Sequence, residues 1–100
     1  YCSTRGVGMK VLDLAKNKKI TLNKIVSIAK KAVDTDGADV LILGCMSMAF
    51  HDITDIIQKK LNVPVINPVT ASLHTAQALV KMNISHSKKA FPSPNFKKIY

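Results

Sequence analysis

The sequence predicts an α/β fold in which a parallel β-sheet is flanked by helices. Two short apolar runs, residues 39–44 and 63–67, have the length of strands. Amphipathic helical patterns precede the first run, separate the two runs and follow the second. With 100 residues, 47% of them hydrophobic, the chain can form one modest core and so one domain.

The first predicted helix covers residues 21–36. Its apolar residues recur at the three- and four-residue spacing of one helix face. Thr21 is placed to cap this helix, and Asp36 followed by Gly37 suits its end. A short strand at residues 10–14 is a further candidate element before the helix.

The run at residues 39–44 is the predicted central strand. It is continuously apolar and too short for a helix, a pattern typical of a parallel strand that is covered on both faces. An amphipathic helix is predicted at residues 47–61, with acidic residues early and Lys59 and Lys60 at its end. The second strand then follows at residues 63–67.

The last predicted helix begins at Pro68 and runs to about Met82, and Asn83 would end it. From this point the helical pattern fades. We therefore divide the chain into a partial α/β domain at residues 1–84 and an extended basic tail at residues 85–100.

The formal net charge of +9 raises the question of nucleic-acid binding. The sequence argues against it, because Arg5 is the only arginine and no aromatic residues interleave with the lysines to stack on bases. No run approaches the roughly 20 apolar residues of a membrane span. Two cysteines are too few for a disulfide scaffold. We expect a soluble, cytoplasmic protein with reduced thiols and no membrane partner.

The candidate site is the segment that follows the central strand, where ligands bind in open parallel sheets. Cys45 is the candidate catalytic residue, because a thiol at a helix amino terminus is favoured as thiolate. The loop residues Gly44, Met46, Ser47 and Met48 are candidates for binding a substrate carboxylate or a developing enolate oxygen. The competing interpretation is that Cys45 is a small core residue. The residues alone leave both open.

A family resemblance favours the catalytic interpretation. Residues 36–48, DGADVLILGCMSM, and residues 63–69, VPVINPV, resemble the second half of hydantoin and allantoin racemases, a branch of the aspartate/glutamate/hydantoin racemase superfamily. Segments like residues 3–14 and 85–89 stand in the same order in that family. The resemblance implies the carboxyl-terminal fragment of a two-lobed racemase that uses no cofactor or metal and acts on a small hydantoin- or allantoin-like molecule.

The resemblance also implies a mechanism. Racemases of this kind place two cysteines on opposite faces of the chiral carbon, one removing a proton as thiolate and the other returning one as thiol. Cys45 would be the second of the pair. The first would lie in an amino-terminal half, supplied by a missing segment or by another chain of the same protein, and we expect a homo-oligomer. Cys2 lies in a segment that the family does not use for this base.

Three further residues bear on the site. Arg5 is a candidate ligand for a substrate carboxylate or ureido group, with a surface contact as the alternative, and His51 is assigned to a helix surface. Ser47 stands where the family motif has glycine. Glutamate racemases have a histidine soon after the cysteine, where this chain has Ser47 and Met48, so the resemblance favours the hydantoin branch.

Two other functions stay open from the sequence. One is a single-cysteine decarboxylase or cis–trans isomerase of the same superfamily. The other is an inactive truncated remnant or a basic binding module, in which Cys45 is only a core residue.

Overall fold

The structure, a computed structural model, describes residues 1–49 and 53–94. Four helices and two strands follow one another along these residues. In chain order they are α1 (Lys18–Asp34), β1 (Leu41–Ile42), α2 (Met46–Ala49), α3 (Ile53–Leu61), β2 (Val65–Ile66) and α4 (Pro68–Lys81).

β1 and β2 form a parallel pair in which Leu41 lies opposite Val65. The backbone N–H of Leu41 donates to Pro64 at 2.9 Å, and that of Leu43 donates to Ile66 at 3.2 Å. Both strands are shorter than predicted, because regular pairing covers only two residues of each. The predicted α/β class, with a parallel sheet and flanking helices, is confirmed.

Helix α1 begins earlier than predicted because Asn17, not Thr21, caps it. The Asn17 side chain accepts the backbone N–H of Ile20 at 3.2 Å. Thr21 lies one turn further on and is buried, with 2% of its surface exposed. The predicted stop is confirmed, since the helix ends before Gly37, which takes a left-handed φ of 72°.

The strand considered at residues 10–14 is wrong. A 3₁₀ turn at Val11–Asp13 occupies this position. Its backbone bonds are local, from Asp13 to Lys10 at 2.9 Å and from Leu14 to Val11 at 3.2 Å. These short-range bonds take the place of pairing with a neighbouring strand.

Only part of the helix predicted at residues 47–61 can be compared with the structure. Residues 50–52, which include His51 and Asp52, lie outside the described residues, as do residues 95–100 of the predicted tail. The last helix agrees with its prediction, and Asn83 follows it with a left-handed φ of 53°. Among the described helices, none combines the length and apolar character of a bilayer span.

The core lies on one face of the sheet, under α1 and α3. Its buried residues are Ile25, Leu43, Ile53, Ile57 and Val65. The prediction that the central strand is covered on both faces is wrong for the described residues, which put no second layer over the other face. Ile42 is 67% exposed there. The radius of gyration is 17.4 Å, whereas a compact domain of this length has about 13 Å.

Ile57 is the most deeply buried core residue, with 1% of its surface exposed. Ile57→Ala should lower the free energy of unfolding by about 2–4 kcal/mol, because it removes buried methyl groups and leaves a cavity. Urea unfolding followed by circular dichroism measures this loss.

The matched control is Ile20→Ala on the surface of α1, where Ile20 is 61% exposed. This change should cost less than about 0.5 kcal/mol. Equal losses at the two positions would show that the core is not where the structure places it.

Candidate functional site

Cys45 lies at the junction between the end of β1 and helix α2. Its carbonyl oxygen accepts the backbone N–H of Met48 at 3.1 Å, which closes the first turn after the strand. The side chain is half-buried and lines a cavity of about 950 Å³. The thiol is therefore placed at the carboxyl edge of a parallel sheet and faces open space instead of being sealed in the core.

Hydrogen bonds from the following loop lower the pKa of the Cys45 thiol. The backbone N–H of Ser47 makes the largest contribution, and the Ser47 hydroxyl and the Met48 N–H add to it, while partial burial acts in the opposite direction. These nearby donors explain the effect without a contribution from a helix dipole. The thiolate is thus favoured relative to an ordinary cysteine.

The cavity is mostly lined by apolar side chains and is at the upper end of the roughly 300–1,000 Å³ typical of small-molecule sites. Of the predicted binding residues, Arg5, Gly44 and Met48 line it together with Cys45. Gly44 leaves open space, since no heavy atom lies within 4 Å of where a Cβ would stand. Room for a ligand therefore exists directly beside the thiol.

The other two predicted binding residues lie next to the cavity wall. Met46 is 59% exposed to solvent, and Ser47 acts on the Cys45 sulfur through its N–H and hydroxyl. Neither lines the cavity. Their assignment to substrate binding stays a prediction, as does that of Gly44, Met48 and Arg5.

Arg5 is held by Asp36 through two hydrogen bonds. Its Nε donates to one carboxylate oxygen at 2.6 Å and its Nη2 to the other at 2.7 Å, and the Ser3 hydroxyl also donates to Asp36. The Arg5 bond, then that of Ser3, lowers the pKa of Asp36 to about 2. A ligand could reach only the remaining N–H groups of Arg5. No local pattern in the sequence indicates this cluster, because Arg5 and Asp36 are 31 residues apart along the chain.

Cys2 and Cys45 are at opposite ends of β1. The exposed Cys2 thiol lies 3.9 Å from the carbonyl oxygen of Gly37, which precedes the strand, whereas Cys45 follows it. Both cysteines line the same cavity, and the assignment of Cys2 outside the proton-transfer pair stays a prediction. In the part of the chain that the structure describes, no three His, Cys, Asp or Glu residues cluster as metal ligands do.

Asn67 is a residue of this edge that sequence reasoning assigned only to a strand. It follows β2 and caps α4, accepting the backbone N–H of Val69 at 2.9 Å and that of Thr70 at 3.4 Å. Its side-chain amide lies 3.5 Å from the Thr54 hydroxyl of α3. The sequence does contain a signal for this capping role. Asparagine is a common helix cap, and Pro68 directly after it favours the first helical position.

Comparisons with known proteins agree on one family. The Asp/Glu/Hydantoin racemase family profile matches residues 1–77. The chain is similar to a hydantoin racemase from Pseudomonas sp. (strain NS671), with 33% identity over 94 residues, which cover 93% of this chain and 37% of that protein. A hydantoin racemase from Paenarthrobacter aurescens is 33% identical over 78 residues, covering 78% of this chain and 32% of that protein.

The fold is also similar to a solved structure. The crystal structure of allantoin racemase from Pseudomonas fluorescens matches with a TM-score of 0.84 and 34% identity, over 99% of this chain and 42% of that chain. The chain thus spans between 32% and 42% of the length of these relatives.

The hydrogen bonds to Cys45 predict a thiol that ionises at lower pH than an ordinary cysteine. In a Cys2→Ser background, the rate of alkylation by iodoacetamide should reach half its maximum at lower pH in the folded chain than in the chain unfolded by urea. Ser47→Ala should move the midpoint upward only in part, because the backbone N–H that contributes most is retained. Identical midpoints for folded and unfolded chains would contradict this account of the loop.

The Asp36 cluster predicts a pH-dependent stability. The pKa of Asp36 is lowered from 3.8 to about 2, so its contribution is complete above about pH 4 and is lost as the pH falls towards 2. The stability difference between the unmodified chain and Asp36→Asn should therefore shrink over this range, as measured by urea unfolding from pH 6 to pH 2. A constant difference would show that the carboxylate does not hold Arg5 in solution.

Proposed function

The chain belongs to the Asp/Glu/hydantoin racemase family, and on this premise we propose that it contributes one side of the active site of a cofactor-independent racemase. Cys45 is the residue that exchanges a proton with the substrate. One observation carries the proposal: a half-buried thiol with a lowered pKa lines a cavity at the carboxyl edge of the sheet.

The proposed step is proton transfer at a carbon next to a carbonyl group. The Cys45 thiolate takes the proton, so that an S–H bond forms, the C–H bond breaks and the electron pair moves onto the carbonyl oxygen as an enolate. A second acid on the opposite face of the carbon then protonates it and inverts its configuration. In the reverse direction Cys45 is the acid that delivers the proton.

The loop after Cys45 has a second task in this scheme. As the sulfur gains a proton it becomes a weaker hydrogen-bond acceptor, so that the Ser47 donors that stabilised the thiolate are available to the enolate oxygen. The hydroxyl of Ser47 adds a donor that a glycine at this position would not provide. Donors that are already in place require little reorganisation during the reaction.

The second acid comes from outside this chain. Cys2 is at the far end of β1, next to Gly37, and the chain spans less than half of its relatives' length. We propose that the remaining part of the racemase fold supplies the opposing group, and that the substrate is a small cyclic or ureido compound of the hydantoin or allantoin class. The chemistry requires a reduced thiol, which fits a reducing compartment such as the cytoplasm.

The test is proton exchange at the chiral carbon of allantoin or a chiral hydantoin in deuterated water. The protein sample combines this chain with the part of the racemase fold that it does not span. Cys45→Ser should lower the exchange rate by at least about 100-fold, because a hydroxyl is a far weaker base than a thiolate. Nuclear magnetic resonance follows the loss of the proton signal.

Cys2→Ser is the matched control and should leave the exchange rate unchanged. An unchanged rate in Cys45→Ser would end the proposal. Exchange with retained configuration would contradict racemisation and would favour a single-cysteine member of the superfamily.

A further inference from the structure

Lysine residues collect in the first part of α1 and in the segment before it. Between residues 6 and 33 the chain has seven lysines and one acidic residue, Asp13. Five of these lysines fall within 15 residues and are exposed: Lys10, Lys16, Lys18, Lys19 and Lys24. In the part of the chain that the structure describes, only Lys16 among these five forms an ion pair, with Asp13 at 2.7 Å. Most of this positive charge is therefore not neutralised locally.

The position of Lys18 and Lys19 is unfavourable for helix α1. They are its first two residues, and its first turn contains no acidic residue. The amino terminus of a helix has a partial positive charge, so that anions there stabilise the helix and cations destabilise it. Helix α3 follows this rule, with Asp55 in its first turn and Lys59 and Lys60 in its last. Residues that break a local rule are expected where function requires them.

Two contacts fix the course of the chain before α1. Arg5 binds Asp36 just beyond the end of the helix. The carbonyl oxygen of Gly8 accepts a hydrogen bond at 3.3 Å from Lys24, in the first half of the helix. The chain thus runs along α1 from its end towards its beginning, and the lysines that follow Gly8 collect at the beginning of the helix.

The beginning of α1 lies at the same edge of the sheet as Cys45. The backbone N–H of Ala38 donates to the carbonyl oxygen of Ala32 at 3.0 Å, so the end of α1 leads directly into β1. At mid-helix, Ile25 shares the core with Leu43. The helix extends about 10 Å beyond Ile25 towards its beginning, at 1.5 Å per residue. Its first turn therefore reaches the edge where β1 ends and Cys45 follows.

The lysines border the cavity of the candidate site. Lys10 stands between Met9 and Val11, which line this cavity together with Cys45, and Gly8 lines it as well. The cavity wall is mostly apolar, whereas the lysines at its border are exposed and positive. A molecule with a neutral ring inside the cavity and a negative group at the border matches both environments.

We infer that the substrate carries a carboxylate in addition to its cyclic or ureido group, and that Lys10, Lys18 and Lys19 attract this anion to Cys45. Positive charges around the mouth of a site raise the local concentration of an anion and its rate of association, by roughly 10–1,000-fold in favourable cases. The inference rests on the proposed function and narrows its substrate class.

Alkylation of Cys45 by a charged and a neutral reagent tests the attraction without a substrate. Iodoacetate and iodoacetamide react with the same thiolate and differ by one negative charge, so the ratio of their rates reports the local electrostatic potential. In the Cys2→Ser chain the ratio of iodoacetate to iodoacetamide should be at least about threefold higher at about 0.01 M ionic strength than at about 1 M. The reason is that the screening length falls from about 30 Å to about 3 Å.

A triple variant locates the source of this effect. K10Q/K18Q/K19Q in the Cys2→Ser chain should lower the rate ratio at low ionic strength by at least about threefold, because three nearby positive charges are removed. Loss of two cations from the first turn of α1 should also raise the melting temperature slightly. A lower ratio in a chain of equal or higher stability therefore reports electrostatics and not unfolding.

The matched control removes the same amount of charge from the opposite edge of the sheet. K31Q/K59Q/K60Q changes exposed lysines in the last turns of α1 and α3, where the strands begin. Net charge falls by the same three units as in the first variant. The rate ratio should change by less than about 1.5-fold, because distant surface charges are more strongly screened.

Proton exchange with a matched pair of compounds tests the substrate class. Hydantoin-5-acetate and hydantoin-5-acetamide have the same ring and chiral carbon, and only the first carries a carboxylate. The protein sample combines this chain with the part of the racemase fold that it does not span. At low ionic strength kcat/KM for the acetate should exceed that for the acetamide at least about tenfold. K10Q/K18Q/K19Q should lower this preference at least about threefold, through a higher KM for the acetate.

The inference is overturned by a rate ratio that ignores ionic strength, by equal losses in the two triple variants, or by Cys45-dependent exchange that is no faster for the acetate. Lysine-dependent retention of a DNA oligonucleotide, together with equal exchange of the two compounds, would assign these lysines to nucleic acid and would also overturn it. If alkylation follows the lysines as expected and neither compound exchanges its proton, only the proposed function is rejected, and the attraction of anions to Cys45 stands.

Discussion

The parallel pairing of β1 with β2 is the constraint on which the candidate site depends. Because the two strands run in the same direction, the segments that follow them meet at one edge of the sheet, and Cys45 and Asn67 both lie there. Leu43 and Val65 anchor the pair in the core. The position of the thiol is thus fixed by core packing and backbone hydrogen bonds, and the loop after it supplies the donors that lower its pKa.

The same sheet bears on the proposal that another part of the racemase fold completes the active site. One face is packed against α1 and α3, whereas Ile42 on the other face is largely exposed and α4 buries none of its residues. Exposed apolar surface of this kind is typical of a contact region. Racemisation needs groups on both faces of a carbon, and the described residues place a thiol at this edge from one side only. The exposed face of the sheet and the need for a second acid in the proposed mechanism are therefore both met if another part of the racemase fold packs here.

Much of this arrangement could be predicted from sequence because it depends on local patterns. The apolar run before Gly44 indicated the strand, Pro68 and Asn83 indicated the limits of α4, and the segment around Cys45 indicated the family, which the comparisons confirm. Contacts between distant segments were not predictable. The pairing of Arg5 with Asp36 depends on how the chain folds back on itself, and no spacing rule encodes it.

Two other predictions, the cap of α1 and the cover of β1, were wrong because the same sequence pattern fits more than one structure. Asn17 and Thr21 are both residue types that commonly cap helices. In the structure Asn17 is the cap, and Thr21 is a buried residue of the first turns of α1. The continuous apolar run of β1 indicated cover on both faces. The pattern is that of a central strand, but the described residues cover one face only and leave Ile42 largely exposed. An apolar pattern records which side chains avoid water and does not say which segments cover them.

The central claim is that ionised Cys45 moves a proton at a carbon next to a carbonyl group. The most direct test is the pH dependence of deuterium loss from the chiral carbon of deuterated allantoin. The rate is measured with the Cys2→Ser chain, combined with the part of the racemase fold that it does not span, before and after alkylation of Cys45. The account predicts a rate that rises with the ionisation of Cys45 and is abolished by alkylation. A rate that ignores this ionisation and survives alkylation would contradict it.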